Sequence, residues 1–170
     1  VTAVTPSPLN LGAGDNTTAW WTVFTNDIKI PVGETYSTTF SNYSGSNNWS
    51  NFIVILRNTA LAEYAVLRSD NNGWGDGYAA CTHNGTQGDW ATWLAAMKNA
   101  KVTVYITNCN NGRADVQAVM TGNDEKVYTQ YYLGINTVDP NDLNFAFTVD
   151  NSHLVFENTT TAKKYRSRRR

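Results

Sequence analysis

Hydrophobic and polar residues alternate along most of this chain with a period of two, the signature of strands with one buried face. Val102, Val104 and Ile106 alternate with Thr103, Tyr105 and Thr107; Val116, Ala118 and Met120 alternate with Gln117 and Val119. After a turn at Gly122 to Asp124, Val127 to Ile135 continues the pattern, and Leu143, Phe145, Phe147 and Val149 alternate most cleanly. His153 to Phe156 forms a short last strand. Phe52-Ile53-Val54-Ile55-Leu56 is apolar at every position, which predicts a central strand buried on both faces. Further strands are expected at Trp20 to Phe24, Ile28 to Ile30, Thr35 to Phe40 and Ala60 to Leu67, with a polar loop from Ser41 to Asn51.

One stretch has a helical period instead. Trp90, Trp93, Leu94 and Met97 fall at i, i+3, i+4 and i+7 behind Asp89, a good N-cap, so a helix is expected over Asp89 to Ala100. Nine or ten strands, one short helix and no βαβ rhythm predict an all-β fold, an antiparallel β-sandwich (jelly roll) with one short helix.

Composition sharpens this picture. At 170 residues the chain fits one domain, read as a lead-in over 1–14, the sandwich over 15–157 and a basic disordered tail over 158–170. Charged residues are only 16%, against about a quarter in ordinary proteins; Asn, Thr and Ser supply the polar surface instead. Six of the 13 basic residues lie in the last eight positions, leaving 7 Lys and Arg against 14 Asp and Glu, a body charge of -7. An acidic body argues against nucleic acid as the main partner. No apolar run of 18 residues suggests a membrane-spanning helix. Cys81 and Cys109 both sit in polar settings, where a disulfide between two loops is one reading; no Cys/His cluster suggests zinc.

Signals for catalysis are weak. None of the four glutamates lies inside an apolar strand where burial would raise its pKa, so no acid/base pair for glycoside hydrolysis is nominated. The two histidines accompany no nucleophile elbow, and Gly73, Gly75 and Gly77 lead into Tyr78 rather than a helix, unlike a phosphate-binding loop. No cofactor is expected. Asp70, Asn72 and Asp76 leave a structural calcium open, although position 81 holds Cys where an EF-hand loop would need its bidentate Glu.

The most informative stretch runs from Tyr64 to Tyr78. It starts as a strand and ends as a loop with three glycines around Trp74, next to Arg68, Asp70, Asn71 and Asn72. Trp74 either folds back as a lid on the core or stands clear of it. An open indole edged by amides, a carboxylate and a guanidinium suits a pyranose ring, which offers a C–H face to stack on and hydroxyls to bind in pairs. Trp49 and Tyr43 are likewise set among Asn and Ser, and Tyr78 closes the segment.

The chain resembles a non-catalytic β-sandwich carbohydrate-binding module of secreted, gut-bacterial-type polysaccharide-degrading enzymes. The likeness rests on Trp20-Trp21, Asn42-Tyr43, Leu67 to Trp74, the Asp89 to Ala100 helix and Val149 to Leu154. It implies a secreted or cell-surface, monomeric domain that binds xylan or a β-glucan and targets an attached glycoside hydrolase. Trp74 and Trp49 would be the stacking rings, with Tyr43 or Tyr78 assisting, and Arg68, Asp70, Asn71 and Asn42 the hydroxyl partners. A cell-surface adhesin or structural sandwich, and a small jelly-roll glycoside hydrolase, are the rival readings.

Overall fold

The computed structural model describes residues 1–13, 22–44, 51–70, 81–137 and 139–159. Two sheets face each other. The strands are β1 (Thr2–Ala3), β2 (Asn10–Leu11), β3 (Ile28–Lys29), β4 (Thr35–Ser44), β5 (Asn51–Arg57), β6 (Glu63–Arg68), β7 (Thr82–Gly85), β8 (Asn99–Asn108), β9 (Arg113–Thr121), β10 (Val127–Asn136), β11 (Asn144–Asp150) and β12 (Ser152–Phe156). The large sheet has the order β2-β12-β4-β8-β9-β10-β7, with β1 beside β4; the small sheet is β3-β11-β5-β6. All described pairings are antiparallel except that of β1 with β4. The expected all-β sandwich is therefore present.

The core lies between the sheets, where the alternating residues meet. Phe40 of β4 stands at its centre, edge-on to Phe52, Phe147 and Phe156 at centroid distances of 5.1, 5.4 and 5.3 Å, so one ring links β4 and β12 to β5 and β11. Edge-to-face pairs of this kind add to the gain from area burial. The small sheet also buries its second face: Ile53, Ile55 and Val66 pack with Phe24. That accounts for the unbroken apolar run of β5. It also changes the reading of β11, whose Ala146 and Thr148 are as buried as Phe145 and Phe147. Both faces of β11 are covered, so alternation did not expose one.

Several sequence expectations need correction. The helix α1 spans Trp90–Ala96 only, because Met97 caps it and Asn99 and Ala100 already pair with Tyr43 and Asn42 of β4. Asp89 does cap it, accepting from Thr92 N at 2.9 Å, and Trp93, Leu94 and Met97 are buried as the helical stripe requires. Asn42 and Tyr43 lie in β4, not in a loop, since β4 runs on to Ser44 opposite β12. Ala60 to Ala62 precede β6 rather than opening it. The lead-in contributes two strands: β1 pairs with β4 and β2 with β12. At Gly12, φ is +79° and a Cβ would collide with the Ser152 carbonyl, so this close approach requires glycine. Thr82–Gly85, which no strand pattern in the sequence marks, is an edge strand paired with β10. Cys81 and Cys109 are both free thiols, so the disulfide reading is not supported.

Candidate functional site

The strand that leads into the Trp74 segment ends in a buried polar frame. Along β6 the side chains alternate, with Ala65 and Leu67 in the core and Val66 on the second face. Arg68 follows Val66 and is only 8% exposed. Its Nε lies 3.5 Å from Asp70 Oδ1 and its Nη2 3.9 Å from Asp150 Oδ2, so one guanidinium serves two carboxylates. Asp70 is 3% exposed. Burial raises the Asp150 carboxyl above its ordinary pKa, Arg68 pulls it down and the Asp70 charge pushes it up again. At 3.9 Å the attraction of Arg68 does not outweigh desolvation.

The backbone here is fixed by side chains of β10 and of the segment between β7 and α1. Three successive carbonyls, those of Arg68, Ser69 and Asp70, accept hydrogen bonds from Tyr132 Oη, Gln130 Nε2 and Gln87 Nε2 at 3.3, 3.5 and 3.2 Å. Ser69 also exchanges bonds with the Phe52 main chain. Gln130 in turn meets His83 Nε2 at 2.7 Å through its Oε1, and the His83 ring stacks on Tyr132 with centroids 4.6 Å apart. His83 lies on β7 opposite Tyr132. The chain entering residue 71 and the chain leaving residue 80 are thus tied to the same two side chains, Gln130 and Tyr132.

Chemically this is a support. Apart from Gln87 Oε1, which has no hydrogen-bond partner among the described residues, the buried groups are held by one another and by main-chain carbonyls, an arrangement that fixes a backbone in place at a desolvation cost. Among the described residues no group of three or more His, Cys, Asp or Glu could hold a metal ion. Of the predicted calcium set, only Asp70 is described, and it faces Arg68.

The predicted ligand residues are distributed unevenly. Arg68 and Asp70 are brought together in the frame. Trp74, Trp49, Tyr78 and Asn71 lie outside the described residues. Asn42 points into the core, 3% exposed, and donates to Met97 O at 2.7 Å, which ties β4 to the end of α1. Tyr43 points the other way, 39% exposed, with His153 tilted against it at 5.8 Å. It stands on the outer face of the large sheet, whereas alternation puts the Arg68 side chain on the outer face of the small one. Sequence reasoning missed Gln87, Gln130, Tyr132, His83 and Asp150. Gln130 did carry a signal, a polar residue in phase with buried Tyr128 and Tyr132.

Compared with known proteins, the chain matches no family model, and neither a curated protein nor a solved structure shows significant similarity to it.

Proposed function

We propose that the protein binds a β-linked polysaccharide, xylan or a β-glucan of plant cell walls, by aromatic stacking and hydrogen bonds. In this reading it is a non-catalytic, secreted or cell-surface domain that holds an attached glycoside hydrolase near its substrate. The observation that carries the reading is the pinning of the Arg68, Ser69 and Asp70 carbonyls by Tyr132, Gln130 and Gln87. Burying an ion pair and two glutamines adds little net stability, so such a cluster is best explained by the geometry it imposes. What it fixes is the root of the segment that carries Trp74, Asn71 and Tyr78. Fixing the root of a binding segment lowers the ordering cost of binding.

The test is native affinity electrophoresis of the wild type, Trp74→Ala and Trp49→Ala in gels containing xylan, β-glucan, xyloglucan, mannan or no polymer. Retardation of the wild type by one polymer, lost in either variant, is the expected result. No retardation by any polymer overturns the reading and turns attention to an adhesin role. Release of reducing sugar from those polymers would instead favour the hydrolase reading.

A further inference from the structure

The outer face of the large sheet is organised in rows that run across its strands. One row pairs Thr35 with Thr107, whose hydroxyls meet at 2.7 Å, and continues to Asp115. A second pairs Thr39 with Thr103 at 3.1 Å, continues through Val119 to Thr129, and ends where Thr129 meets Thr86 at 3.1 Å. In both rows the hydroxyls are taken up by each other. Asp115, the charge nearest the centre, accepts from Gly134 N at 2.8 Å.

Between these two rows lies a third: Ser37, Tyr105, Gln117, Tyr131 and Asn84, in register on β4, β8, β9, β10 and β7. Tyr105, Gln117 and Tyr131 are half-buried and Asn84 is exposed. Among the described residues, the Tyr105 and Tyr131 hydroxyls and the Gln117 amide have no hydrogen-bond partner. Tyr36 and Tyr43 are alike in this, whereas Tyr64 bonds Asp142 O, Tyr128 bonds Asp124 and Tyr132 bonds Arg68 O. The middle row is therefore neutral, aromatic and unspent, and it is flanked by rows that are satisfied.

We propose that this row is a track for a neutral, β-1,4-linked glycan chain lying across the strands. Tyr105 and Tyr131 are two strand spacings apart, about 9.6 Å. An extended β-1,4 chain presents like ring faces at every second sugar, an interval of closely that length, so each tyrosine stacks on one ring. Gln117 bridges hydroxyls of the sugar between them, and Ser37 and Asn84 receive the ends. The full row spans about 19 Å, which sets the binding length at about four sugars. The absence of free charge on the row selects a neutral chain over an acidic one. The track rests on the reading of the protein as a polysaccharide binder, but is made of other residues than the Trp74 segment.

The test is calorimetric titration of the full chain with xylo- and cello-oligosaccharides of two to six units, together with ¹H–¹⁵N shift mapping. Tyr105→Ala and Tyr131→Ala, checked for folding by their melting curves, are expected to lose about tenfold in affinity each, while the Phe replacements keep it within a few fold. Affinity is expected to rise up to about four units, with amide shifts at Tyr105, Gln117 and Tyr131. Wild-type binding that survives both Ala changes but vanishes in Trp74→Ala overturns the track and leaves the polysaccharide reading standing. No oligosaccharide binding by the wild type, with no shift at these amides, overturns the track as well. Retardation in the polymer gels then reports separately on the broader reading.

Discussion

The Arg68 frame and the Tyr105 row are both rich in polar and aromatic groups, yet they are built in opposite ways. In the frame every described side chain is turned to another part of the protein: guanidinium to carboxylates, amides to carbonyls, phenol to carbonyl. In the row, strand register lines up the same chemical groups and then leaves them facing outward. The lesson is that polar composition does not identify a binding surface. What separates support from display is whether the hydrogen-bonding capacity is already used, and that can be read only in three dimensions.

This contrast can be broken by substitution. Arg68→Ala should have the largest effect, because it strands the buried Asp70 carboxylate; a loss of about 3–5 kcal/mol in urea unfolding is expected. A loss near that of a surface change would show that the frame is not a structural support.

Asp150→Asn should act in the opposite direction and more weakly. The Asp150 pKa is raised by folding, so its contribution to stability is fully present at acid pH and is lost as pH climbs from the ordinary carboxyl range through the raised value. The variant should therefore gain melting temperature relative to wild type as pH rises from about 4 to 7. A difference that falls with pH would mean that the Arg68 attraction, not burial, dominates at this carboxyl.

The smallest effect is expected on the outer face. Gln117→Ala should change unfolding free energy by less than about 0.5 kcal/mol, since none of the described residues uses that amide. A clearly larger loss would make Gln117 part of the fold's own support and weaken the distinction between the two regions.

Much of the fold was legible because burial imposes a period that the sequence must obey. β8, β9 and β12 follow their alternation, β5 announces burial on both faces by its unbroken apolar run, and Asp89 marks the helix start. Ends were harder. β4 continues through Asn42 and Tyr43 because β12 and β8 offer pairing partners there, although the residues themselves favour a loop. β7, Thr-His-Asn-Gly, has little strand propensity and exists because the edge of β10 holds it. The short strands β1 and β2 form for the same reason.

For the candidate site, sequence alone determined which side chains could recognise a sugar, because stacking and paired hydrogen bonds demand particular residue types. It also fixed which residues on each strand share a face, since that follows from a two-residue period. Only the tertiary structure decided what those residues face. Arg68 and Asp70 were nominated as ligand contacts and are instead buried with Asp150, and Asn42 is committed to Met97. From the sequence, Tyr131 and Tyr132 point to opposite faces of their strand, so one of them looks outward or toward the other sheet, but nothing there joined Tyr131 to Tyr105 and Gln117, which are separated by a dozen or more positions. Strand register places them side by side, and register depends on partners far along the chain that local sequence does not specify.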